Sequence, residues 1–173
     1  MSSLLLGGKN ATTRPPGPGL LGVAVIVSSC ALVPVIGWFV SVPVATGAWY
    51  EGLAKPSWTP PEWAFGPVWT AMYATMAVAA SIVWLSRRSD DVCCPLSAFA
   101  VQLALNLAWS VCFFGLRSPL LGFLDVCLLW VAVALTTAEF FLVSRSAGWL
   151  MVPYWLWVTF AAALNGAVLI LGG

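Results

Sequence analysis

Residues 49–69 read Trp-Tyr-Glu-Gly-Leu-Ala-Lys-Pro-Ser-Trp-Thr-Pro-Pro-Glu-Trp-Ala-Phe-Gly-Pro-Val-Trp. Four of the chain's eleven tryptophans and four prolines (Pro56, Pro60, Pro61, Pro67) fall in this stretch. A flexible linker is rich in glycine and serine; this one is aromatic and stiff. It is the only long joint between apolar runs, so its reading decides the architecture. One reading is an aromatic belt at the membrane interface, where Trp and Tyr accumulate. The other is a lid folded over the mouth of a helix bundle, supplying aromatic walls and indole N–H donors. The prolines and the clustering favour the lid.

Outward from this stretch the chain is strongly apolar. Of its 173 residues, 61% are hydrophobic and 8% charged, against roughly 25% charged in an ordinary soluble domain. The mean hydropathy is +0.97. Seven basic and six acidic residues cannot cover the surface of a soluble domain of this size. The composition is that of an integral membrane protein. Histidine is absent, which excludes Ser-His-Asp and Cys-His catalysis, His-ligated haem and His-bound zinc. A net charge of +1 with scattered basic residues argues against a nucleic-acid partner. The five cysteines form no CxxC pair, so neither a metal site nor a disulfide framework is expected.

A helix needs about 20 residues to cross the hydrocarbon core. Five runs of that size occur: residues 20–46, 66–86, 95–115, 119–144 and 147–171. Pro34 and Pro43 are expected to kink the first, and Pro67 to sit in the first turn of the second. The joints are short and polar except the first, residues 47–65. Loops of that length in compact domains are usually functional. The expected fold is therefore an all-α, five-transmembrane-helix bundle in residues 20–173, with a long lid loop between helices 1 and 2. Residues 1–19 read as a flexible amino-terminal tail without a convincing signal peptide. The triplet starting at Asn10 fits the glycosylation pattern and carries little weight. Lys9, Arg14, Arg87, Arg88 and Arg145 fall on one side, Lys55 and Arg117 on the other. The excess places the amino terminus in the cytoplasm and the lid on the opposite side.

Helical faces can be read within the spans. Gln102, Asn106, Trp109 and Phe113 share one face of the third span. Such a face is either an interhelical polar clamp or a ligand-pocket wall. Ala100, Ala104 and Ala108 lie about 200° away and form a small-residue stripe, suited either to a homodimer through helix 3 or to packing within the chain. Trp69, Tyr73, Met76 and Ala80 share a face of the second span; Tyr154, Trp157, Ala161 and Leu164 share one of the fifth, with Asn165 at its edge. Together these faces describe an aromatic cavity under the lid, fit for a flat, largely apolar molecule. Asp125 and Glu139 are the carboxylates inside spans. Asp125 is a functional candidate or an interhelical hydrogen-bonding group, and Glu139 is placed to snorkel.

The segment from Trp49 to Trp63 resembles the signature of the translocator protein family, also called tryptophan-rich sensory proteins (TspO/MBR). The resemblance continues through Gly66-Pro67-Val68-Trp69 and Tyr73, then Gln102-Leu103-Ala104-Leu105-Asn106 with Trp109, then Phe113-Phe114-Gly115 and Asp125. It ends with Pro153-Tyr154, Trp157, Phe160-Ala161 and Leu164-Asn165, so it covers about residues 30–166. It implies a membrane protein that binds porphyrins such as protoporphyrin IX, with cholesterol and synthetic benzodiazepine-type or isoquinoline ligands as further possibilities. Such proteins are discussed as transporters, as sensors of tetrapyrrole or stress state, and as light-dependent porphyrin-degrading proteins. They often dimerise, and occur in bacterial envelopes and the mitochondrial outer membrane.

Carried over by position, Trp69 and Trp157 match the tryptophans associated with porphyrin photodegradation. Trp49, Tyr50, Pro56, Ser57, Trp58, Asn106, Trp109, Tyr154 and Ala161 match pocket or lid positions; Tyr73 and Phe113 join them from the facial reading. No cofactor and no metal are expected, and the missing histidine favours metal-free porphyrin over axially ligated haem. Sterol-binding relatives often carry Tyr followed by Arg or Lys after the Leu-Asn pair. Residues 166–173 contain neither, which places sterol behind porphyrin.

Overall fold

The computed structural model describes residues 19–45, 47–86 and 93–172. The tail positions Lys9, Asn10 and Arg14, the Arg87-Arg88 joint, Thr46 and Gly173 lie outside the described residues.

Helix α1 spans Leu20–Ala45 and runs unbroken through Pro34 and Pro43. A one-turn helix α2, Ala48–Glu51, follows. Helix α3 is Glu62–Ser86. Helix α4, Cys93–Ser110, runs into a wider π-helical turn over Val111–Gly115. Helices α5, Pro119–Val143, and α6, Arg145–Gly172, complete the bundle. At 1.5 Å per residue the 26 residues of α1 reach about 39 Å, more than the roughly 30 Å of a bilayer core. Five helices are long and apolar enough to cross a membrane, with α4 and its π turn acting as one.

The second span begins earlier than hydropathy suggests. The span read from the sequence begins at Gly66, but the helix starts at Glu62, just after Pro60-Pro61. An acidic residue in a first turn is favoured by the helix dipole, and prolines cannot extend a helix backwards. Pro67 is therefore the sixth helical residue, not part of the first turn. The irregular part of the lid shortens to residues 52–61. Its turn at Pro56 is closed by Thr59, whose Oγ1 donates to the Pro56 carbonyl at 2.7 Å and whose N–H does so at 3.0 Å.

The joints are set by local chemistry. Ser118 caps α5 through Oγ, which accepts from the Leu121 N–H at 3.3 Å, and Pro119 occupies the first helical position. Arg117 takes φ 52°, which lets the chain turn sharply between the π turn and α5. Ser144 alone joins α5 to α6 in extended conformation.

The helices follow one another around the bundle in the order α1, α3, α6, α5, α4, closing on α1. Helix α5 lies at the back, between α4 and α6, and buries eight residues; α1 is a peripheral wall that buries only Ile26 and Cys30. The packed core sits at the end away from the lid. There Val83 and Ala79 of α3, Phe99 of α4, Phe140 of α5 and Met151 of α6 meet, with Phe99 and Phe140 stacked at 5.8 Å between ring centroids. Leu120, Leu124, Leu128 and Leu135 of α5 point outward, as lipid-facing side chains do.

Candidate functional site

Toward the lid the helices separate around a cavity of about 1090 Å³, larger than the roughly 300–1,000 Å³ of most small-molecule sites. Helices α1, α3, α6, and α4 with its π turn, contribute its walls.

The aromatic wall is built in two groups. Trp69 of α3 meets Trp157 of α6 edge to face at 6.3 Å and Tyr154 at 6.5 Å, and tilts against Tyr73 at 5.8 Å. Trp157 continues onto Phe160 at 5.4 Å. On the other side Trp109 stacks on Phe113 at 5.3 Å and meets Phe114 edge to face at 5.7 Å. The π turn carries the two phenylalanines of this second group. Phe113 and Phe114 of this turn both line the cavity.

Between the two groups runs a polar thread. The Tyr73 hydroxyl donates to Asn106 Oδ1, and Asn106 Nδ2 donates to the Tyr154 oxygen at 2.9 Å. Asn106 thus ties α3, α4 and α6 together and lines the cavity as well. The polar face of α4 is both clamp and wall. Gln102, one turn deeper, is clamp only: it is fully buried, and its Nε2 lies 3.7 Å from Met76 Sδ. Asp125 is buried on α5, and Glu139 lies half-buried near that helix's far end.

The lid is anchored at both ends by rings. Trp49 packs on Phe113 at 5.7 Å and Tyr50 on Phe114 at 5.8 Å. Trp58 packs on Phe160 at 5.7 Å. Each such pair adds about 0.5–1.5 kcal/mol beyond simple burial. Lys55 reaches back so that its Nζ lies 3.8 Å from the Tyr50 ring centroid. Burial pushes the Tyr50 phenol above its ordinary range, and the Glu62 carboxylate adds to this, so the ring stays neutral.

Of the expected ligand residues, Tyr50, Trp69, Tyr73, Asn106, Trp109, Phe113, Trp157 and Ala161 line the cavity. Trp49, Pro56, Ser57, Trp58 and Tyr154 do not. Trp49 and Trp58 grip the bundle from the lid, Pro56 and Ser57 shape the lid turn, and Tyr154 is wholly buried behind Asn106. Facial analysis missed α1, whose Pro34, Val35, Trp38, Phe39 and Ser41 complete the wall. That helix is apolar all round and carries no periodic signal. The mouth residues Lys55 and Glu62 were also missed; their signal was charge beside an aromatic lid. Ala100 and Ala104 are exposed and Ala108 is half-exposed.

Comparison with known proteins follows the same outline. A family profile described as TspO/MBR matches residues 25–171. The "Tryptophan-rich protein TspO" of Chlorobaculum tepidum is 40% identical over 151 residues, covering 87% of this chain and 95% of that one. The "Translocator protein" of Homo sapiens is 39% identical over 142 residues, covering 79% and 84%. "Protein CrtK" of Rhodobacter capsulatus is 42% identical over 123 residues, covering 70% and 77%.

Proposed function

This chain is a multi-pass membrane protein of the TspO/MBR family, and we propose that it binds porphyrins such as protoporphyrin IX, and similar flat hydrophobic molecules, in the cavity beneath the α2 lid. Binding there serves a receptor- or transporter-like role in tetrapyrrole sensing, transport or stress regulation. The observation that carries this reading is the cavity itself: about 1090 Å³, with Trp69 and Trp157 on one side and Trp109 on another. Flat aromatic surfaces favour offset or edge contacts with such rings. The names of relatives, which include "Translocator protein" and "Tryptophan-rich sensory protein", point the same way.

The test is a titration of the protein in nanodiscs with protoporphyrin IX, read by tryptophan fluorescence. Saturable quenching is expected, weakened when Trp109 is replaced by Leu. Quenching that rises linearly without saturation would overturn the proposal.

A second reading is a light-dependent porphyrin-degrading enzyme. It is favoured by the contact between Trp69 and Trp157, both in the cavity wall and 6.3 Å apart. Either role is compatible with a homodimer through α4, for which exposed Ala100 and Ala104, with half-exposed Ala108, offer a close-packing surface. The charge count supports a cytoplasmic amino terminus with the lid on the opposite side.

A further inference from the structure

We propose that the mouth of the cavity is a seat for a single carboxylate, with Lys55 as its cation, so that the ligand is a flat apolar body bearing a carboxylic acid. The proposal rests on the reading of the cavity as a flat-ligand site and adds the chemistry of one end of that ligand.

Lys55 is the only cation that lines the cavity among the described residues. It is half-buried, and Pro56 follows it immediately in the lid turn. Its Nζ is held 3.8 Å from the Tyr50 ring centroid, while Tyr50 packs on Phe114 at 5.8 Å. The ammonium therefore has a defined place at the rim rather than a free excursion into water. Among the described residues its charge is met only by the face of that ring. An ammonium has three N–H donors and no acceptor, and a ring face engages only one side of it. The remaining donors are available to an anion arriving with its apolar body in the cavity below.

The charge at the rim selects the kind of anion. Glu62, the first residue of α3, lines the same mouth. One positive and one negative group suit a monoanion on the lysine side. A phosphate dianion would meet the Glu62 carboxylate without a second cation to offset the repulsion, and multiply charged phosphates are better held by bidentate arginines. A neutral ligand without an acceptor at this end would leave the remaining N–H donors of the ammonium unused. The aromatic wall beneath requires the rest of the ligand to be flat.

The experiment compares protoporphyrin IX, a diacid, with its dimethyl ester on the full chain in phosphatidylcholine nanodiscs. The acid is expected to bind about tenfold more tightly than the ester, the ratio given by one charge-assisted hydrogen bond in a half-buried site. Lys55→Met should bring the acid down toward the ester, and Lys55→Arg should restore the preference. Glu62→Gln should tighten the acid further, and added salt should narrow the gap. Acid and ester binding equally well to the unaltered protein would overturn the carboxylate seat while leaving the flat-ligand reading in place. If neither binds, that underlying reading falls. Equal loss of both probes in Lys55→Met would assign the lysine a structural role and overturn the seat. Oleate carries the same carboxylate on a flexible chain and should not displace the porphyrin; displacement would overturn the requirement for a flat body.

Discussion

Asn106 on α4 donates through Nδ2 to the Tyr154 oxygen on α6 at 2.9 Å, and through Oδ1 it accepts from Tyr73 on α3. One carboxamide thus joins three transmembrane helices at the floor of the cavity. In hydrocarbon a polar side chain has few other partners, so the geometry of the floor depends on this residue. Replacement of Asn106 by Leu strands two buried hydroxyls. A loss of about 1–2 kcal/mol is expected, visible as a lower midpoint in thermal unfolding in detergent. A Tyr73→Phe, Asn106→Leu double-mutant cycle should show a coupling energy; additive effects would mean that the hydrogen bond contributes nothing.

The lid closes the cavity through ring contacts at both ends. Trp49→Ala removes the contact with Phe113, and Trp58→Ala the contact with Phe160. Each should speed porphyrin release by about 2- to 10-fold with little change in the association rate, since one aromatic pair contributes about 0.5–1.5 kcal/mol. Stopped-flow fluorescence separates the two rates. A change confined to association would place these residues outside the closing contact.

Gly122 and Gly66 make opposite cases. A methyl group at Gly122 would lie 2.8 Å from Phe113 Cδ2 and 3.1 Å from Asn165 Nδ2, where the π turn, α5 and α6 meet. Gly122→Ala should cost about 1–3 kcal/mol through overpacking. At Gly66, on the cavity wall, nothing lies within 4 Å of the added carbon. Gly66→Ala should leave stability equal or slightly raised, because alanine favours helix. Thermal unfolding of the pair tests both statements at once.

On α4 Ala100 and Ala104 are exposed and Ala108 is half-exposed. The proposed homodimer through α4 predicts a dimer for the unaltered protein in detergent and a monomer for Ala104→Phe, measured by light scattering in line with size exclusion. A dimer that persists would move the interface elsewhere.

Trp69 and Trp157 can be tested for photochemistry directly. Replacement of both by Phe keeps two rings in the wall but removes the indoles. Under the light-dependent reading, the porphyrin absorption band should fade on illumination of the unaltered protein and persist in the double variant. Undiminished loss in the double variant would exclude the two indoles from the reaction.

The five spans were legible in the sequence because a bilayer demands long apolar runs, and their rough ends followed from prolines, glycines and charged joints. The start of α3 was misplaced by four residues, since hydropathy marks where lipid begins and not where hydrogen bonding begins; Pro61 and Glu62 carry the second signal. The inward faces of α3, α4 and α6 were legible where polar or aromatic residues recur at helical spacing. Tyr154 and Trp157 illustrate the limit. They share a face by count, yet Tyr154 is wholly buried behind Asn106 and Trp157 reaches the cavity. Which of two neighbours on a face is wall and which is support depends on the helix opposite.

By itself, then, the order of residues determined a five-span membrane bundle, an aromatic and proline-stiffened lid between the first two spans, and the family. The tertiary structure alone decided that α1 forms a cavity wall, that Phe113 and Phe114 of the π turn both line the cavity, and that Lys55 and Glu62 line it as well. The reason is physical. In water, hydrophobicity separates inside from outside. In lipid both sides of a helix are apolar, so the inward face is chosen by packing and hydrogen bonding between helices, and these exist only once the helices have met.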